Sequence, residues 1–190
     1  MINRPAGELI FIKIKGVTMK YKYVFICVTF IFAMLLHCAA QEFEVPQNYK
    51  LEKPEDYAKY EADVLKCVDY LENIPLDDES AKTIAANAFL LKWLEGSPNV
   101  TIELNVYVVE LCDKNKEFIM LFMGGWTRYA LQNPDSVNSL NGNMAGLESI
   151  IKVYQQGQGV SRDKKVEKII KLQEEGELAD WVKDQIKKNN

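Results

Sequence analysis

Thr-Ile-Glu-Leu-Asn-Val-Tyr-Val-Val-Glu-Leu (101–111) is the stretch on which the fold class turns. Its β-branched content and partial alternation suit a strand. Ile102, Leu104, Val106, Val109 and Cys112 also suit a helix that turns one face inward. No other segment of the chain offers a strand to pair with, and a lone strand is unfavourable. Helix is therefore the favoured reading of 101–114, and the fold class it gives is all-α.

The flanking sequence supports that class. Pro54, followed by Glu55 and Asp56, suits a helix start, because proline fits the first turn and acids favour the positive end. Tyr57, Tyr60, Val64, Cys67, Val68 and Leu71 then recur at helical spacing, predicting one helix that ends near Asn73. Asp77-Asp78-Glu79-Ser80 signals a second helix start. Its stripe is Ile84, Ala88, Leu91 and Leu94, with Phe89 and Trp93 beside it, and Gly96 is placed for a left-handed stop. Beyond the ambiguous stretch, Asn115 can cap a helix over 116–131. Further helices follow, one opened by Ser136 or Ser139 and running to about Gln155, then 162–174 and 178–187. The expectation is six or seven antiparallel amphipathic helices, in an irregular bundle or a short helical-hairpin stack.

The N-terminal part reads differently. Lys20 and Lys22, an apolar run of about 13 residues (24–36), and Cys38, Ala39 and Ala40 follow the order of a secretory signal peptide. A membrane-spanning helix needs about 20 apolar residues, so a membrane is expected only through an uncleaved signal. His37 disfavours lipidation of Cys38, because a small residue is expected there. The domain reading is an over-extended start over 1–18, a signal over 19–40 and one helical domain over 41–190. The expected location is periplasmic or secreted.

Residues 1–40 hold five of the 23 basic residues (Arg4, Lys13, Lys15, Lys20, Lys22) and one of the 27 acidic ones (Glu8). The remainder carries 18 basic and 26 acidic side chains, a net charge of −8. Such a chain repels phosphate backbones, so nucleic acid is not an expected partner. The basic run from Arg162 to Lys171 is interrupted by Asp163 and Glu167 and reads as a solvated helix face.

The single histidine, His37, lies in the signal. A domain without histidine lacks Ser-His-Asp and Cys-His chemistry and the usual zinc ligand sets. No phosphate loop, dinucleotide fingerprint or Cys-x-x-Cys pair appears, so no cofactor and no metal are expected. Asp77-Asp78-Glu79 lacks the spacing of a calcium loop. Cys67 and Cys112 could form a disulfide in an oxidising compartment, but both fall on apolar helix faces, where buried free thiols are common.

Phe-Met-Gly-Gly-Trp-Thr-Arg-Tyr (122–129) places two glycines inside a helix, each costing about 1 kcal/mol relative to alanine. Gly142 and Gly146 share a face of the next helix. The structural reading is a close contact between helices at Gly124, Gly125, Gly142 and Gly146. The functional reading is a small pocket rimmed by Trp126, Arg128 and Tyr129, with Glu148 as the carboxylate partner of Arg128. Asn87, in an alanine-rich stretch, is expected to be buried and to fix helix packing.

The segments NAFLLKW (87–93), GSPNVTI (96–102), FMGGWTRYAL (122–131) and GNMAGLESIIKVY (142–154) resemble uncharacterised secreted helical proteins of Bacteroidetes. The resemblance implies a compartment and a fold, and no activity, ligand or catalytic residue. The expected function is an exported non-catalytic helical protein binding an unidentified protein or small molecule. The alternative is a carboxylate-dependent hydrolase acting on extracytoplasmic glycans, with its acids drawn from Glu148, Asp163, Glu103 or Glu110.

Overall fold

The computed structural model describes residues 43–189. The start and signal readings for 1–18 and 19–40 lie outside the described residues. Within them the chain forms eight α-helices and no strand: α1 (Pro54–Lys59), α2 (Glu61–Leu71), α3 (Ala81–Leu94), α4 (Val106–Leu111), α5 (Phe118–Gln132), α6 (Ser139–Gln156), α7 (Lys164–Glu174) and α8 (Leu178–Asn189). A 3-10 turn, Pro134–Ser136, links α5 to α6. The fold is all-α. Among the described residues no helix is long and apolar enough to cross a membrane.

The helix ends follow local chemistry. Ser80 Oγ accepts from Thr83 N at 3.2 Å and caps α3, and Asp78 Oδ2 accepts from both the Ser80 and Thr83 hydroxyls. Asn138 and Asp163 cap α6 and α7 in the same way. Gly157 follows α6 in the left-handed region at φ 70°, where a side chain would be strained. Asp78 thus serves a helix start, and no group of three metal-ligating side chains occurs among the described residues.

Five expectations change. The helix expected over 54–73 breaks at Tyr60. The Tyr57 carbonyl accepts from Tyr60 N at 3.1 Å and from the Trp93 indole at 3.0 Å, in place of continuing the i to i+4 ladder. Tyr60 then faces Tyr49 and Phe89, while Tyr57 lies beside Trp93. The second correction is the inner face of α3. Ile84 is 61% exposed, and Ala88 and Leu91 are also exposed; Thr83, Ala86, Phe89, Leu90 and Trp93 are buried instead. Two stripes competed there, and the one carrying the larger aromatic area went inside.

The third correction concerns 101–114. Residues 100–105 are non-helical, and only Val106–Leu111 is helical. Leu104, Val106 and Val109 are exposed, while Tyr107, Val108 and Leu111 are buried. Asn105 sets the boundary. Its backbone is extended (φ −84°, ψ 154°), and its buried amide donates to Asn143 Oδ1 at 3.2 Å. The fourth is Gly96, which is not left-handed. A Cβ there would strike the Tyr57 hydroxyl, so close approach explains the glycine. Asn115, expected to cap the next helix, instead clamps Ser161: it accepts from Ser161 N at 2.7 Å and donates to Ser161 O at 2.9 Å.

Helices α5 and α6 meet through glycine. Phe122 lies where a Gly146 side chain would stand, and Trp126 where a Gly142 side chain would stand. The contacts climb one helix as they descend the other. A Cβ on Gly125 would come 2.5 Å from the Ala145 carbonyl and 2.8 Å from Ser149 Cβ. A Cβ on Gly124 would meet side chains alone, the Val68 methyls at 3.3 Å and Leu90 Cδ2 at 3.8 Å. The two adjacent glycines therefore differ. Gly125→Ala presses on backbone that cannot yield and should cost about 1–3 kcal/mol. Gly124→Ala gains about 1 kcal/mol of helix propensity against a contact that a methyl can relieve, and should be near neutral. Urea denaturation of both variants checks the contrast.

Candidate functional site

Arg128 lies one turn before the end of α5, and Ser149 and Lys152 lie on the facing side of α6. All three converge on Glu72, which follows the last residue of α2 and is 1% exposed. Arg128 donates to Glu72 Oε1, Ser149 Oγ donates to the same oxygen at 2.6 Å, and Lys152 Nζ donates to Oε2 at 2.8 Å. The second arm of Arg128 reaches Asp69 Oδ1 at 3.2 Å. Gln156 Nε2 donates to the Glu72 carbonyl at 3.1 Å. A buried charge needs such partners, because burying it unpaired costs several kcal/mol.

Burial pushes the Glu72 carboxyl up. The hydrogen bonds from Lys152, Ser149 and Arg128, and the charge of Arg128, outweigh burial and hold it below the ordinary glutamate value of 4.5. Glu72 is thus an anion at neutral pH.

Above this cluster opens a cleft of about 280 Å³ between α5 and α6. Gly125 and Ala145 leave its floor bare, and Tyr129, Gln132 and Glu148 stand around it with Arg128 and Lys152. The Tyr129 hydroxyl is fixed by Asn141 Nδ2 at 2.9 Å. Arg128 and Lys152 keep N–H donors beyond those spent on Asp69 and Glu72. The cleft offers cationic donors, one exposed carboxylate, an amide and an aromatic edge, and therefore suits a small polar ligand.

Several expected site residues move. Arg128, Tyr129 and Glu148 do share one cleft. The carboxylate that Arg128 meets is Glu72, with Asp69, and not Glu148, which is exposed at the cleft wall. Trp126 is not a rim residue. It is 2% exposed, lies tilted beside the Phe122 ring, and its buried indole N–H has no partner among the described residues. Asn87 is only half-buried; the buried asparagines are Asn105, Asn115 and Asn143. Cys67 and Cys112 are free thiols rather than a disulfide. Their sulfurs donate to the Ala86 and Val108 carbonyls at 3.3 and 3.2 Å. Burial raises Cys67 to about 12, and burial with Asp113 and Glu117 raises Cys112 to about 11, so both stay protonated and unreactive at neutral pH.

Glu72 is the residue that sequence reasoning missed. Its signal was present. Val64, Val68 and position 72 are spaced by four on the buried face of α2, so a glutamate there is a charge on an apolar register.

Comparisons with protein-family models, with curated proteins and with solved structures find no match to this chain.

Because the Glu72 carboxyl is lowered in the folded protein, it stabilises the fold above the ordinary value of 4.5. That stability is lost as pH falls through the lowered value. Glu72→Gln should cost about 2–3 kcal/mol at neutral pH, the scale of hydrogen bonds to a charged group. The difference from the parent protein should shrink in acid. Urea titrations of both proteins at neutral pH and below 4.5 measure it.

Proposed function

We propose that this chain is an exported, non-catalytic helical protein that binds a small polar ligand, or a polar segment of a partner protein, in the Arg128 cleft. The observation that carries the reading is the cleft itself. A buried carboxylate orients Arg128 and Lys152 before any ligand arrives, which lowers the ordering cost of binding. Export rests on the leader-like order of residues 19–40, and on the resemblance to secreted helical proteins of Bacteroidetes.

A hydrolase acting on extracytoplasmic glycans is the second reading, favoured by one fact: Glu72 and Glu148 line the same cleft. Glycoside hydrolysis needs a carboxyl held protonated to donate to the leaving group. Glu72 is shifted the opposite way and has its oxygens committed to Arg128, Ser149 and Lys152. The other acids are dispersed. Asp163 is buried at the start of α7, Glu103 accepts from Ser139 Oγ at 2.6 Å, and Glu110 is exposed on α4. Binding is the better supported reading.

Amino acids, dicarboxylates and monosaccharides, titrated against thermal unfolding, test it. A bound compound at about 100 times its Kd should stabilise the protein by about 2.7 kcal/mol. Glu148→Ala and Gln132→Ala alter exposed side chains of the cleft and should leave the unliganded melt unchanged. Each should weaken binding about tenfold, or ~1.4 kcal/mol. Release of reducing sugar from a polysaccharide, abolished by Glu148→Ala, would instead establish the hydrolase.

A further inference from the structure

We propose that residues 100–105 form an edge strand through which two copies of this chain pair antiparallel, with Ile102 opposite Ile102. Three observations support it. First, the backbone N–H and carbonyl groups of residues 99–104 form no hydrogen bond among the described residues. A run of extended backbone with open donors and acceptors is what a second strand pairs with. Second, the side chains of residues 100–103 alternate as a strand's do, an alternation that ends at exposed Leu104 and buried Asn105. Val100 is buried and Ile102 half-buried, whereas Thr101 and Glu103 are exposed. Third, Val100, Ile102 and Leu104 line an apolar groove of about 240 Å³ with Leu91, Leu94 and Met123. Leu91 and Leu104 stand 44% and 48% exposed there.

The occupant is a second copy because the segment is complementary to itself. Antiparallel pairing about Ile102 sets Val100 opposite Leu104 and Thr101 opposite Glu103. Apolar side chains then meet on one face, and no two glutamates oppose each other directly. Each copy supplies both the groove and the leucine that covers it, as a two-fold interface requires. Thr101 and Glu103 exchange the backbone hydrogen bonds, and Ile102 forms the close, non-hydrogen-bonded pair. A two-stranded ribbon alone is marginal in water; this one lies over the exposed Leu91 of α3 and the partly buried Met123 of α5.

Sedimentation equilibrium of the purified protein, with two variants, tests the pairing. The protein should sediment as a reversible dimer. Thr101→Pro deletes an N–H that has no partner among the described residues. It should keep the helical circular dichroism and weaken the dimer at least tenfold. Ile102→Cys should form an interchain disulfide on mild oxidation, because Cα atoms of such a pair lie about 4.5 Å apart, within bridging range. The parent protein should form none. A monomer at every attainable concentration, or a dimer indifferent to Thr101→Pro, overturns the proposal. So does failure of Ile102→Cys to cross-link, which decides the matter even if the proline variant does not fold.

Discussion

The approach of α5 to α6 at Gly125, Gly142 and Gly146 is the contact on which the rest of the structure depends. Each glycine gives up helix propensity, about 1 kcal/mol relative to alanine. In return Phe122 and Trp126 lie flat against the backbone of α6, both almost wholly buried. Full burial of such side chains contributes about 1.5–3 kcal/mol each, which offsets the propensity loss. The same closeness brings Arg128 of α5 and Ser149 and Lys152 of α6 to one carboxylate. With larger residues at the seam the helices would separate, and the three donors could not all reach Glu72.

Glu72 then ties α2 to that pair. Its buried carboxylate would be prohibitive alone, and the pairing does not make it a large source of stability, since desolvation consumes most of the attraction. What the arrangement supplies is placement. Arg128 is drawn between Asp69 and Glu72, Lys152 is held from the other side, and the cleft above them inherits a fixed set of donors. An apolar residue at position 72 could pack α2 as well and would leave Arg128 and Lys152 without an anchor. The charge on the apolar register of α2 is therefore better explained by the cleft than by the core.

Much of the fold was legible because its signals are local. Pro54 and Ser80 mark helix starts through chemistry confined to one turn, and the glycine pairs at 124–125 and 142–146 mark a close contact without naming its geometry. The errors arose where two local patterns were nearly equal. Ile84, Ala88 and Leu91 form a helical stripe as regular as Thr83, Ala86, Leu90 and Trp93. The larger aromatic area of the second, and the tertiary bond from Trp93 to the Tyr57 carbonyl 36 residues away, put it inside. The partner of Arg128 was unreadable for the same reason. Glu148 is near in sequence, whereas Glu72 is 56 residues away, and spacing carries no information across such a gap. Trp126 was placed at a rim because tryptophan beside arginine suggests a pocket. Gly142, on another helix, had already made room for it in the core.

The stretch at 101–111 resisted a single reading because it holds two structures. Its second half has enough helix-compatible residues for α4, and Tyr107 anchors that turn through a 2.5 Å hydrogen bond to Asn143. Its first half is held by side chains alone: Val100 in the core at one end, Asn105 bonded to Asn143 at the other, and Glu103 to Ser139 between them. Fixing a residue's backbone costs about 1–2 kcal/mol, and helices recover part of that through their ladder. Residues 99–104 recover none of it through backbone bonds within the described residues. Solvent can satisfy those groups, so their openness is no defect of the monomer. Yet β-branched residues keep the segment extended where a loop of small polar residues would serve as a connection. That choice leaves a strand-shaped surface whose backbone capacity is unspent, on a molecule that is otherwise helical.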